Sequence, residues 1–153
     1  MTTAATLFTP FQVKNLTLKN RITMTPLYLG YANPDGTVSP LLLDHYREMA
    51  ASGASLIVVE NAAVDQIGAG SPFTLRIDDD RFLTGLSDLA KTIHQEGALA
   101  FLQINHTGRY AYVPERIAPS LAPPDPEPVQ YPRCRNTRSN STATAAPSIC
   151  CCT

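Results

Sequence analysis

The chain has 153 residues, 44% hydrophobic and 16% charged, a composition that suits a folded domain with a core and excludes a solvated, disordered chain. A formal net charge of −1 gives no basic face for nucleic acid or an anionic membrane, and no run approaches the roughly 20 apolar residues that span a bilayer. The opening, "MTTAATLFTPF", has neither a basic n-region nor an apolar h-region, so the expected location is cytoplasmic.

Short alternating runs, Phe11/Val13 and Leu16/Leu18, flank Lys14-Asn15 and read as a small hairpin. A strand follows over Arg21 to Thr25, stopped by Pro26, which has no N–H for a ladder. Residues 28–40 read as loop, with a turn at Asn33-Pro34-Asp35-Gly36. Ser39 is the expected N-cap of a helix that starts with Pro40, presents Leu42, Tyr46, Met49 and Ala50 on one apolar face, and stops at Gly53. "ASLIVVENA", residues 54–62, is an unbroken β-branched run and implies a strand buried on both faces, as in a parallel sheet. Asp78, Asp79 and Asp80 complement the start of a second helix, whose apolar face is Phe82, Leu86, Leu89, Ala90 and Ile93 and whose end is Gly97. "ALAFLQI", residues 98–104, is the next buried strand.

The order hairpin, strand, helix, strand, helix, strand is α/β, with two successive crossovers. An open doubly wound sheet accommodates it, as does the amino-terminal part of a (β/α)8 TIM barrel. The loop after the first strand, "PLYLGYANPDG", has no Gly-rich cradle for a pyrophosphate. Polar residues collect instead behind all three strands: Thr25 and Tyr28, then Glu60 and Asn61, then Gln103, Asn105, His106 and Arg109. That is the pattern of a barrel site.

The amide of Gln103 offers a donor and an acceptor in one plane, which matches the imide edge of a flavin or pyrimidine; it equally suits a strand end capped against backbone. His106 has the pKa for acid or base work, although a lone loop histidine is more often structural. Tyr28 and Tyr31 suit stacking on a cofactor, a substrate pocket, or plain loop packing. Arg109 suits an anion or an ion pair with Glu60, for which a buried ion-pair role is the preferred expectation. No metal site is expected, because Cys134 and the adjacent Cys150, Cys151 and Cys152 lack paired ligand spacing.

The pattern breaks near the end. No acidic residue follows Glu127, no Gly follows Gly108, and all four cysteines lie in the tail. The expected organisation is a partial barrel over 1–128 and an irregular tail over 129–153, either disordered or the product of an out-of-frame ending.

"LFTPFQVKNLTLKNRITMTPL", "NPDGTVSPLLLDHYREMAASGASLIVVENAAV" and "FLQINHTGR" together resemble the amino-terminal segment of the Old Yellow Enzyme family of flavin-dependent NAD(P)H oxidoreductases. The resemblance implies FMN as cofactor, NADH or NADPH as hydride donor, and an activated alkene or enone as substrate. It places Thr25, Pro26, Leu27, Tyr28, Asn61 and Gln103 at the flavin, and Tyr31 and His106 at the substrate pocket. Tyr28 departs from the Thr or Cys of many members. The family's His/His or His/Asn pair belongs near the fourth strand and its phosphate site behind strands 7 and 8, so the catalytic residues are not in this segment. Two expectations follow: a truncated amino-terminal segment of an ene-reductase, or an inactive fragment that acts by association with another chain, as a homo-oligomer or with a complementary half-barrel.

Overall fold

In the computed structural model, which describes residues 6–117, the hairpin forms as β1 (Phe11–Val13) and β2 (Leu16–Leu18), antiparallel, with Phe11 opposite Leu18 and Val13 opposite Leu16. The next strand, β3, is only Thr23–Met24, shorter than the expected 21–25. Its ladder ends at the pair Met24 and Ile57, just ahead of Pro26.

Helix α1 spans Pro40–Ala51. Ser39 Oγ accepts the Leu42 N–H at 3.0 Å and donates to the Tyr31 carbonyl, so one hydroxyl caps the helix and anchors the preceding loop. Gly53, at φ 95, supplies the left-handed residue that ends it. The Asn33–Gly36 turn closes with the Gly36 N–H on the Asn33 carbonyl at 2.8 Å.

Strand β4 is Leu56–Ala63 and strand β5 is Leu99–Asn105. The parallel sheet has the order β3-β4-β5, as two crossovers on the same side require. Helix α2, Leu83–Gln95, fills the second crossover. Its start differs from expectation. Asp79 caps a short 3-10 turn, Asp80–Phe82, and Asp78 turns away to Arg76, with bonds of 2.8 and 2.5 Å. The triplet therefore divides between a cap and an ion pair, because the chain needs one turn to align before α2 begins.

Both helices lie on one face of the sheet. Leu42, Tyr46 and Ala50 of α1, Leu89 and Ile93 of α2, and Ile57 and Val59 of β4 form the buried core, with Ile22, Met24 and Ala100 against it. The opposite face carries Thr23, Val58, Phe101 and Gln103, and is open. A three-stranded parallel sheet with helices on one side is one arc of the (β/α)8 barrel, and its bare face is the one that turns toward a barrel interior. All described residues fall within one compact unit, Met1–Leu121. The expected tail, 129–153, lies outside the described residues. Among them no helix is long and apolar enough to cross a membrane, and no cluster of three His, Cys, Asp or Glu side chains is placed to hold a metal.

Candidate functional site

Because β3, β4 and β5 run parallel, their carboxyl ends lie along one edge and bring the segments 25–29, 60–61 and 103–109 to the same rim. The rim is shaped by a break in β4. The ladder with β5 pairs Val59 with Leu102 and resumes only at Ala62 with Ile104, so Glu60 and Asn61 drop out of register. Backbone groups released by a bulge must find other partners. The Glu60 N–H donates to the Tyr46 hydroxyl at 2.7 Å. Burial pushes the Tyr46 phenol up to about 12, so it stays a neutral hydroxyl at any ordinary pH.

Glu60 is completely buried. Its Oε2 accepts the Leu29 N–H at 2.6 Å, and its Oε1 has no partner among the described residues. Burial raises its pKa, against the opposing pull of the Leu29 N–H, and so favours the neutral acid. The expected ion pair with Arg109 does not form. Arg109 lies over the Tyr110 ring, 4.7 Å from its centroid, and bonds to that residue's hydroxyl, while the Glu60 carboxyl faces inward beneath the 25–29 segment.

That segment is held at two points, Leu29 by Glu60 and the Tyr28 hydroxyl by a hydrogen bond with Ser71 Oγ, and just past its end the Tyr31 carbonyl accepts from Ser39. Thr25, Leu27 and Tyr28 remain exposed and Pro26 is half-buried. Tyr31 also meets His45 edge-on, with centroids 5.9 Å apart.

Asn61 is half-buried, and its Oδ1 is fully enclosed without a partner among the described residues. Gln103 is exposed on the open face and its amide makes no protein hydrogen bond among the described residues. His106 has a structural job. Its Nδ1 accepts the Gly108 N–H at 3.1 Å, and its ring lies so close over Gly68 that a Cβ there would sit 2.5 Å away. Thr107 stitches the same two loops, with its N–H and Oγ1 both on the Gly68 carbonyl, at 2.9 and 2.8 Å.

A separate cavity of about 350 Å3 opens between Pro34, Gln66, Arg76, Arg81 and Tyr112. None of Thr25, Tyr28, Asn61 or Gln103 lines it. The residues missed from sequence are Tyr46, read only as core, and Ser71, which anchors Tyr28. A polar Glu60-Asn61 pair closing an apolar run was the one available sign of the bulge.

Residues 6–144 match the profile of a family described as NADH:flavin oxidoreductase / NADH oxidase. The chain is 44% identical over 117 residues to a metal reductase of Desulforamulus reducens, covering 76% of this chain and 17% of that protein. It is 40% identical over 130 residues to an NADH oxidase of Thermoanaerobacter brockii, covering 84% and 20%. Among solved structures it superposes on a 2-naphthoyl-CoA reductase with a TM-score of 0.68 and 29% identity, covering 70% of this chain and 16% of that one. The match to an old yellow enzyme homologue of Zymomonas mobilis has a TM-score of 0.62 at 32% identity, covering 68% and 29%. The chain thus spans less than a third of each of these proteins.

Proposed function

We infer that this chain, which belongs to the NADH:flavin oxidoreductase / NADH oxidase family, provides the ring-binding side of an FMN-dependent NAD(P)H oxidoreductase of the ene-reductase type, acting on an activated alkene or enone. One observation carries the inference. The Gln103 amide, on the open face and without a hydrogen-bond partner among the described residues, stands at a strand end neighbouring Asn61, beside the pinned 25–29 segment.

These residues fit FMN. Gln103 would take the planar donor and acceptor pair of the imide, Thr25, Pro26, Leu27 and Tyr28 would lie against the ring, and Asn61 would stand at the neighbouring strand end beside it. Bound FMN supplies hydride acceptance and delivery. The chain's own contribution is orientation: a rim pinned by Glu60, Ser71 and Ser39 holds the contact surface in place, which lowers the ordering cost of binding a rigid ring. His106 shapes the adjoining loop, and with Tyr31 it would line the substrate side of the ring.

The test is the absorption spectrum of the purified chain after saturation with FMN. Retained flavin bands that NADH or NADPH bleaches support the proposal. A colourless protein, or one whose Gln103→Leu variant retains flavin as well as the parent, counts against it.

A second function rests on β5. Among the described residues it pairs only with β4, and Phe101, Leu102 and Ile104 are 50%, 37% and 65% exposed. An open edge with apolar side chains on both faces is a template for another strand. We propose that association with complementary barrel strands, from a second copy or another chain, is the alternative role. A monomer at all concentrations by light scattering would remove it.

A further inference from the structure

Beyond the ring contacts, we propose that Glu60 is a positioning residue. Buried on the β4 bulge, its carboxyl accepts the Leu29 N–H, fixes that backbone and thereby sets the Thr25–Tyr28 segment against the flavin. The link to flavin rests on the function proposed above; the clamp itself rests on geometry alone.

Three elements meet at this residue. The bulge places Glu60 outside the ladder, and its N–H is taken by Tyr46 from α1. Its side chain reaches the segment after β3 and accepts the Leu29 N–H at 2.6 Å. The ladder between β3 and β4 has already ended at Met24 and Ile57, so this bond ties the segment to β4 beyond the last paired residues. Glu60 and Tyr46 both have 0% exposure, so water does not compete for these bonds. The 2.6 Å bond is therefore made in surroundings where a hydrogen bond is electrostatically stronger than in water.

A carboxyl is needed there for a specific reason. One oxygen must accept from Leu29 in an enclosure where burial disfavours the charged form. A carboxyl does this, and so does an amide of the same shape. An aliphatic side chain fills the space but takes away the acceptor of the part-buried Leu29 N–H. The network thus couples a helix residue outside the barrel to the surface on which the ring lies.

The experiment compares the full chain with its Glu60→Gln and Glu60→Leu variants, by amide hydrogen exchange over residues 25–31 without flavin and by FMN titration followed through flavin fluorescence and visible circular dichroism. Glu60→Leu is expected to lose about tenfold or more of the protection at Leu29 and to weaken FMN binding about tenfold, with a changed dichroic band. Glu60→Gln is expected to restore both. Equal protection at Leu29 in the parent and Glu60→Leu overturns the clamp, whatever the flavin does. Lost protection with unchanged FMN affinity and dichroism overturns its role toward the ring. If the parent binds no FMN, the proposed function fails in this chain, and the exchange data still decide whether the clamp exists. A Glu60→Leu protein that is unfolded by far-ultraviolet dichroism leaves the decision to Glu60→Gln. An amide that fails to keep protection at Leu29 overturns the neutral-acceptor argument.

Discussion

Replacing Tyr46 with Phe removes one oxygen from the centre of the molecule. The ring stays, with its edge contact to His45 at 5.2 Å, so no cavity of consequence forms. What changes is the Glu60 N–H, which loses its acceptor at 2.7 Å while remaining fully buried. The register shift between Val59 and Ala62 gives it no ladder partner to fall back on. An orphaned buried donor costs about 1–3 kcal/mol, and the complete exclusion of water puts the expected value at about 2 kcal/mol. With a urea slope of about 1–3 kcal/mol per molar for a small domain, the unfolding midpoint should fall by about 1 M. Tyr110→Phe is the control: Tyr110 is 69% exposed, and its loss should stay within about 0.5 kcal/mol. The assay is urea unfolding followed by far-ultraviolet dichroism. Equal midpoints for Tyr46→Phe and Tyr110→Phe would refute the assignment of the phenol as the acceptor that makes the bulge tolerable.

Three further outcomes are expected. Burial raises the Glu60 pKa, with the Leu29 N–H opposing, so its contribution to stability is whole below the unfolded carboxyl value of about 4.3 and is lost as pH rises through the higher folded value. Glu60→Gln should flatten that decline in a series of urea midpoints against pH, and parallel curves would contradict a neutral Glu60. The Arg76 hydrogen bonds lower the Asp78 pKa, so that pair stabilises above about pH 4 and fades as pH falls through the lower folded value. Asp78→Asn should cost about 1 kcal/mol at pH 7 and nothing near pH 2, as read by thermal unfolding. Gly36 sits at φ 83 with the Arg76 side chain 2.5 Å from where a Cβ would be, so Gly36→Ala should destabilise by about 1–3 kcal/mol; an unchanged melting temperature would show that the turn relaxes.

Much of the architecture was written in local pattern. Ser39, Pro40 and Gly53 bound α1 as capping chemistry requires, because those preferences depend on one or two turns of backbone. The β-branched run ending at Glu60 and the run through Gln103 announced parallel strands by their unbroken apolar character, but the expected burial of the second fails: Phe101, Leu102 and Ile104 of β5 are exposed, because nothing among the described residues covers that strand's outer side. Their carboxyl ends then had to share a rim, which is why Thr25, Asn61 and Gln103 could be named together before any coordinates. The family followed from the same residues, and the profile and superpositions agree.

Other features were decided only in three dimensions. Glu60 reads as an ion-pair partner in sequence because a carboxylate after an apolar run looks like a charge seeking a cation. The fold buries it under Leu29, without an ion-pair partner among the described residues, and burial raises its pKa. Tyr46 reads as an apolar-face residue because the helical period records which side is buried, not that a strand 14 positions later will present an unpaired N–H to its hydroxyl. Asp78 reads as part of a helix start, and Arg76 draws it away. In each case the missing information was the identity of a partner distant in the chain. Period and capping specify elements through neighbours within a turn, whereas a bulge, the partner of a buried acid and the course of an ion pair depend on what the packed elements bring against one another.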